Sequence, residues 1–123
     1  MADILVIDDD PQMGRLMARV LQRQGHIVHE ANGGRKGMEV FRRISPALVI
    51  SDIVMPDGEG IETIREMRRE APEMPILAVS GGSHQALYLR AATSLGASAS
   101  LEKPFEPGDL VALVTEFLPQ PTG

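Results

Sequence analysis

Short apolar runs with no polar face alternate along this chain with segments of helical period, and few folds accommodate that alternation. Ile4-Leu5-Val6-Ile7, Ala47-Leu48-Val49-Ile50 and Pro75-Ile76-Leu77-Ala78-Val79 are unbroken runs. A run of that kind and length suits a strand covered on both sides. Between them, Met13, Leu16, Met17, Val20 and Leu21 form a helical stripe. It opens at Asp10-Pro11, a cap residue followed by proline at the first helical position, and Gly25 is its expected stop. Gly14 lies inside that helix, at a cost of roughly 0.5–1 kcal/mol relative to alanine. The cost implies close approach by another group.

The alternation continues. A second strand is expected over about 27–31, then a helix over about 35–43 with Met38 and Phe41 inward. A third helix follows Gly60, with Ile61, Ile64 and Met67 as its stripe. Ser83 is the expected cap of a fourth helix ending at Gly96, whose stripe of Leu87, Ala91 and Leu95 is weaker. The fifth strand, about 99–102, is the least apolar, and Pro107 opens a last helix with Leu110, Val111, Val114, Phe117 and Leu118 inward. Strands joined by helices run parallel, with right-handed crossovers that bury both sheet faces. The expectation is a doubly wound α/β fold of five strands and five helices. Residues 1–118 form one domain, and 119–123 a tail or the start of a linker. No internal repeat is present.

In such folds ligands sit at the carboxyl ends of the strands. Those ends carry Asp8-Asp9-Asp10, Ser51-Asp52, Ser80-Gly81-Gly82 and Lys103-Pro104. One cap needs one carboxylate, which accounts for Asp10 and leaves Asp8 and Asp9 unexplained. Ten of the twelve basic residues are arginine, with only Lys36 and Lys103 as lysine. A lysine at a strand end in this chain favours a compact point charge over a planar fork. Two carboxylates ~4 Å apart repel by roughly 4 kcal/mol at an effective dielectric of 20. Asp8, Asp9 and Asp52 gathered on one rim therefore bind protons or a cation, since Lys103 returns a single charge. All-oxygen ligands suit a hard ion, and with few carboxylates and room for water Mg²⁺ fits better than Ca²⁺. Such a site accommodates a phosphoryl group, with an exposed Asp as nucleophile and a hydroxyl as hydrogen-bond donor.

The segments ILVIDDDP, SDIVMPDGEG, AVSGG and LEKPF, in that order and spacing, resemble the receiver domain of two-component response regulators. The similarity covers about residues 3–118. It implies a five-stranded parallel sheet in the order 2-1-3-4-5. It also implies that Asp52 accepts a phosphoryl group from a phosphohistidine on a sensor histidine kinase or histidine phosphotransfer protein. Asp8 and Asp9 would hold Mg²⁺, with Asp9 and Asp52 as direct ligands and the Val54 carbonyl completing the set. Ser80 matches the switch hydroxyl, Lys103 the phosphoryl-binding lysine, and Lys103-Pro104 a peptide that is usually cis. The implied output is a population shift in the face formed by strand 4, helix 4 and strand 5.

One position departs from the pattern. Ser100 stands where the family commonly has Tyr or Phe, so coupling is expected through the backbone around Ser80-Gly81-Gly82 and helix 4, with Tyr88 a candidate for the missing ring. Val54 and Gly82, two residues after the Asp and the Ser, offer no polar side chain to orient an attacking water. The kinase is expected to dock around helix 1, where Gly14 would permit close approach.

Several function classes are excluded or disfavoured. Without cysteine there is no disulfide scaffold, zinc-thiolate site or thiol catalysis. A net charge of −5 argues against nucleic acid or an anionic membrane as ligand. Four aromatics, Phe41, Tyr88, Phe105 and Phe117, make a base-stacking platform unlike this chain. No signal peptide or membrane span is visible, so a cytoplasmic location is expected. The expected form is a monomer or weak dimer, either a stand-alone receiver acting by protein contact or a fragment of a larger regulator. The enzyme alternative is an aspartate-nucleophile phosphatase using Asp8 and Asp10. Those enzymes normally have Thr or Val at the place of Gln12, and they carry a cap or larger core. A flavodoxin-like carrier shares the fold class, but acidic strand tips would repel a flavin phosphate, and Gly33-Gly34 has no following Lys-Ser/Thr pair, so no nucleotide P-loop is present.

Overall fold

A computed structural model describes residues 2–53, 59–81 and 85–118. The elements alternate from end to end: β1 (Asp3–Ile7), α1 (Pro11–Gln22), β2 (Ile27–Ala31), α2 (Gly34–Ile44), β3 (Leu48–Asp52), α3 (Glu59–Glu70), β4 (Ile76–Ser80), α4 (Gln85–Leu95), β5 (Ala99–Glu102) and α5 (Pro107–Phe117). All neighbouring strands pair in parallel, in the order β2-β1-β3-β4-β5. The doubly wound sheet expected from the alternation is therefore the fold.

The three unbroken runs lie at the centre. Every residue of β3 and β4 is buried, while β5, at an edge, alternates half-buried and exposed. Alternate residues feed two cores. Leu5, Ile7, Val49, Ile76 and Ala78 meet Met38, Phe41, Ile64, Met67 and Ala92 on the face covered by α2, α3 and α4. Ile4, Val6, Leu48, Ile50, Leu77 and Val79 meet Met17, Leu21, Leu110 and Val114 on the face of α1 and α5. Each fully buried aliphatic side chain contributes roughly 1.5–3 kcal/mol.

Two helical stripes are rotated from expectation. In α1 the buried face is Gly14, Met17, Ala18 and Leu21, and Leu16 is 50% exposed. In α4 it is Ala92 that is fully buried, whereas Leu95 is exposed. One residue turns a helix by about 100°, as wide as the apolar stripe itself, so a flanking leucine passes for a central one. No helix among the described residues is long and apolar enough to cross a membrane. Ser83 and the tail 119–123 lie outside the described residues.

What matters for the site is how the ladders continue past the strand ends. Asp8 N–H donates to Ala31 O (3.0 Å), Ile53 N–H to Val79 O (3.1 Å) and Lys103 N–H to Ser80 O (2.7 Å). Backbone pairing thus fixes the carboxyl-terminal rim. At Gly60 an added Cβ would strike the backbone of Ile53, so only glycine lets α3 begin directly against the residue after Asp52.

Candidate functional site

The rim brings together residues from three strand ends. Asp8, Asp9 and Asp52 each place a carboxylate oxygen within 4.8 Å of the others. Lys103 crosses from β5 to join them: its Nζ donates to Asp8 Oδ2 at 3.1 Å and to Asp52 Oδ2 at 3.2 Å. The Asp8 side chain is wholly buried and that of Asp52 is 7% exposed, while Lys103 keeps 19% of its side chain in solvent. Asp9 is the most open of the three acids.

Local chemistry holds each group. Asp8 Oδ1 accepts the backbone N–H of Asp10 at 2.9 Å, which orients the second oxygen towards Lys103. Asp10 itself caps α1, its Oδ1 accepting Gln12 N–H at 2.9 Å. The carboxylate that a phosphatase would use as acid/base is thus occupied as a helix cap. Ser51 is fully buried, and its hydroxyl donates to Asp52 O at 3.0 Å. This support was not foreseen, although a hydroxyl inside an apolar run is a sequence signal for a locally bonded group. The stem of Lys103 lies along Gly81, where an added Cβ would sit 3.0 Å from Lys103 Cβ.

Electrostatics follow from this packing. Burial alone pulls the Lys103 pKa down and is the largest single influence on it. The charges of Asp52 and Asp8, with the two hydrogen bonds, outweigh that influence and raise it above the ordinary lysine value. Lys103 is therefore a fixed cation at neutral pH. It counters two of the three carboxylates and leaves an excess of negative charge at the mouth, where Asp9 lies.

The remaining predicted residues are placed as follows. Ser80 is fully buried at the end of β4, its hydroxyl 3.5 Å from Gly81 O. The Lys103-Pro104 peptide is cis. Ser100 is exposed on β5 and pairs with Ala78, a residue of the core under α4. Paired residues in parallel strands point to one face, so Ser100 lies on the α4 side with no ring to bury. Val54, Gly82 and the side chain of Tyr88 lie outside the described residues.

Gly14 corrects an expectation. It is buried, facing Asp8 and Glu30, and an added Cβ would make ordinary contacts of 3.9 and 3.6 Å with them. The glycine neither opens the outer surface of α1 nor is required by the packing around it. The outer face is instead lined by Pro11, Gln12, Arg15, Leu16 and Arg19, around a shallow cavity of about 460 Å³.

With this geometry in hand, the similarities to known proteins are specific. The model of the response regulator receiver domain family matches residues 4–115. The chemotaxis protein CheY of Thermotoga maritima is 30% identical over 109 residues, spanning 88% of this chain and 90% of that protein. The KDP operon transcriptional regulatory protein KdpE of Escherichia coli is 33% identical over 112 residues, and there the match spans 91% of this chain but 49% of that protein. The crystal structure of the receiver domain of NtrX from Brucella abortus superposes with a TM-score of 0.88 at 28% identity, covering 94% of this chain and 98% of that one.

Proposed function

This chain belongs to the response regulator receiver domain family, a family of signalling switches phosphorylated on aspartate, and from that premise we propose that its phosphoacceptor is Asp52. The observation that carries the assignment is the pair of contacts from Lys103 to Asp8 and Asp52. A carboxylate at a strand end, with one oxygen held by a fixed ammonium, presents its other oxygen as a nucleophile. An Asp52 oxygen attacks the phosphorus of a phosphohistidine in line, the P–N bond breaks, and the imidazole leaves with its electron pair. Lys103 is in reach to stay with the incoming phosphoryl oxygens, and the Ser80 hydroxyl donates to one of them. That donation requires it to give up its contact with Gly81 O, and this rotation is the switch.

Three clustered carboxylates with no nitrogen or sulfur donor fit a hard divalent cation. Asp8, Asp9 and Asp52, with the Val54 carbonyl, would hold Mg²⁺, which when bound neutralises charge on the phosphoryl oxygens. The same groups assist phosphorylation and hydrolysis of the chain itself. The donor is a cytoplasmic histidine kinase or phosphotransfer protein that docks on α1. That helix has no acidic residue between Pro11 and Gln22, and it shows Arg15 and Arg19 beside exposed Leu16. An acidic, apolar helix of the donor complements this face.

The test is to phosphorylate the chain with a phosphohistidine donor, reduce the acyl phosphate with borohydride, and map the modified residue by mass spectrometry. Modification at Asp52, absent in Asp52→Asn and dependent on a divalent ion, is expected. Modification at Asp8, or full-rate transfer in excess chelator, would overturn the assignment. Arg15→Glu with Arg19→Glu slows transfer from the protein donor while leaving labelling by a small acyl phosphate unchanged.

A further inference from the structure

Arg68, in the last turn of α3, is partly buried and pairs with no carboxylate among the described residues. Its Nε donates to Gly96 O (2.9 Å), its Nη1 to Ala71 O (3.0 Å) and Pro72 O (2.8 Å), and its Nη2 to Ser98 Oγ (3.3 Å). Desolvation lowers its pKa below the ordinary arginine value. One planar fork therefore serves backbone carbonyls just beyond the ends of both α3 and α4. Ser98 passes the tie to the sheet, accepting Ile76 N–H at 3.1 Å and donating its own N–H to Ile76 O at 2.7 Å. Gly96 seals the contact: it has φ +131°, and an added Cβ would lie 2.7 and 2.8 Å from Arg68 Cγ and Cβ.

All these bonds lie at the amino-terminal end of β4 and β5, the end away from Asp52. At the opposite end, Ser80, which ends β4, and Gly81 after it are the described residues that lead towards α4 along the chain. Ser100, exposed beside Ala78, has no volume to move into or out of the core. A signal therefore enters α4 at its amino-terminal end and meets a tether at its carboxyl-terminal end. The geometry points to Arg68 as a clamp that makes the response of α4 a swing about residues 96–98 rather than a shift of the whole helix. This rests on the reading of Asp52 as phosphoacceptor and Ser80 as switch.

Hydrogen–deuterium exchange of the full chain, with and without Mg²⁺ and beryllofluoride as an acyl-phosphate mimic, tests the clamp. In the wild-type chain, amides 85–91 change their exchange several-fold on activation and amides 92–98 do not. In Arg68→Met the change spreads through 92–98. Arg68→Lys, which keeps the charge but not the fork, spreads it partly and serves if the Met variant does not fold. A wild-type change equal in both halves of α4, or a variant profile identical to wild type, overturns the clamp. Bound beryllofluoride is read separately by its ¹⁹F resonance and is absent in Asp52→Asn. Failure to bind in wild type overturns the site reading and the clamp with it, whereas binding with a uniform helix response overturns the clamp alone.

Discussion

The ammonium of Lys103 stands 3.1 Å from Asp8 Oδ2, a contact between side chains 95 positions apart in sequence. The pairing of β1 and β5 to opposite sides of the central strands makes it possible, because a long flexible stem crosses the rim above Gly81. The same Nζ also reaches Asp52, so one cation holds two neighbouring carboxylates.

Removing that cation has a signed consequence. Lys103→Met removes the ammonium from which both Asp8 and Asp52 accept, and the chain loses about 2 kcal/mol of stability in chelator, less than the roughly 3–5 kcal/mol for breaking a fully buried pair because Lys103 is partly solvated. Added Mg²⁺ then restores more stability in the variant than it adds to wild type, since it supplies the missing positive charge. Urea denaturation with and without the ion measures both numbers. Equal Mg²⁺ increments in the two proteins would contradict this account.

Asp9 carries the opposite sign. It makes no bond to Lys103, yet its carboxylate shares the 4.8 Å cluster with Asp8 and Asp52. Asp9→Asn removes repulsion at the open mouth of the site and raises metal-free stability by about 0.5–1 kcal/mol, a solvent-screened magnitude. The same change weakens Mg²⁺ binding, read by titration calorimetry. A denaturation midpoint that falls in chelator would show that Asp9 is held by an attraction rather than strained by its neighbours.

His26 sets an acid-side limit on stability. Burial, and secondarily the amino-terminal charge, lower its pKa below 6.5, and its Nδ1 has no hydrogen-bond partner among the described residues. A histidine that resists protonation when folded costs nothing above its unfolded value. Its penalty grows as pH falls from about 6.5 through the lower folded value, because the unfolded chain binds the proton first. The melting temperature of wild type therefore falls further between pH 7.5 and pH 5.5 than that of His26→Leu. Parallel declines would remove His26 from the explanation.

How far the chain was legible depends on what kind of partner each residue has. Asp8, Asp9, Asp52 and Lys103 were readable because strand periodicity and parallel topology bring strand ends to one rim whatever the loops do. The exposure of Leu16 and Leu95 was not, since a stripe about 100° wide cannot be centred to within one residue by composition alone. Arg68 was invisible for a different reason. Its partners are backbone carbonyls and one serine, and any sequence supplies carbonyls. Ser100 was legible as a substitution within a motif, but its exposure on the α4 face required the β4–β5 register.

Two helical glycines look alike in sequence and behave oppositely in the fold. At Gly60 an added methyl would meet the Ile53 backbone, which cannot yield without displacing the end of β3 and Asp52 with it. At Gly14 the same methyl would meet only Glu30 Oε1 at 3.6 Å and Asp8 Cβ at 3.9 Å, ordinary contacts. Gly14→Ala is therefore expected to stabilise the chain by about 0.5–1 kcal/mol through reduced entropy of the unfolded state and better helix propensity. Gly60→Ala destabilises it by about 1–3 kcal/mol, the cost of forcing a group into a packed region, and also slows phosphorylation, because the strand end that carries the nucleophile has moved. Denaturation midpoints paired with phosphorylation rates separate the two cases. If both alanines destabilised equally, the space seen around Gly14 would not exist in solution; if Gly60→Ala were neutral, α3 would not depend on that approach to seat β3.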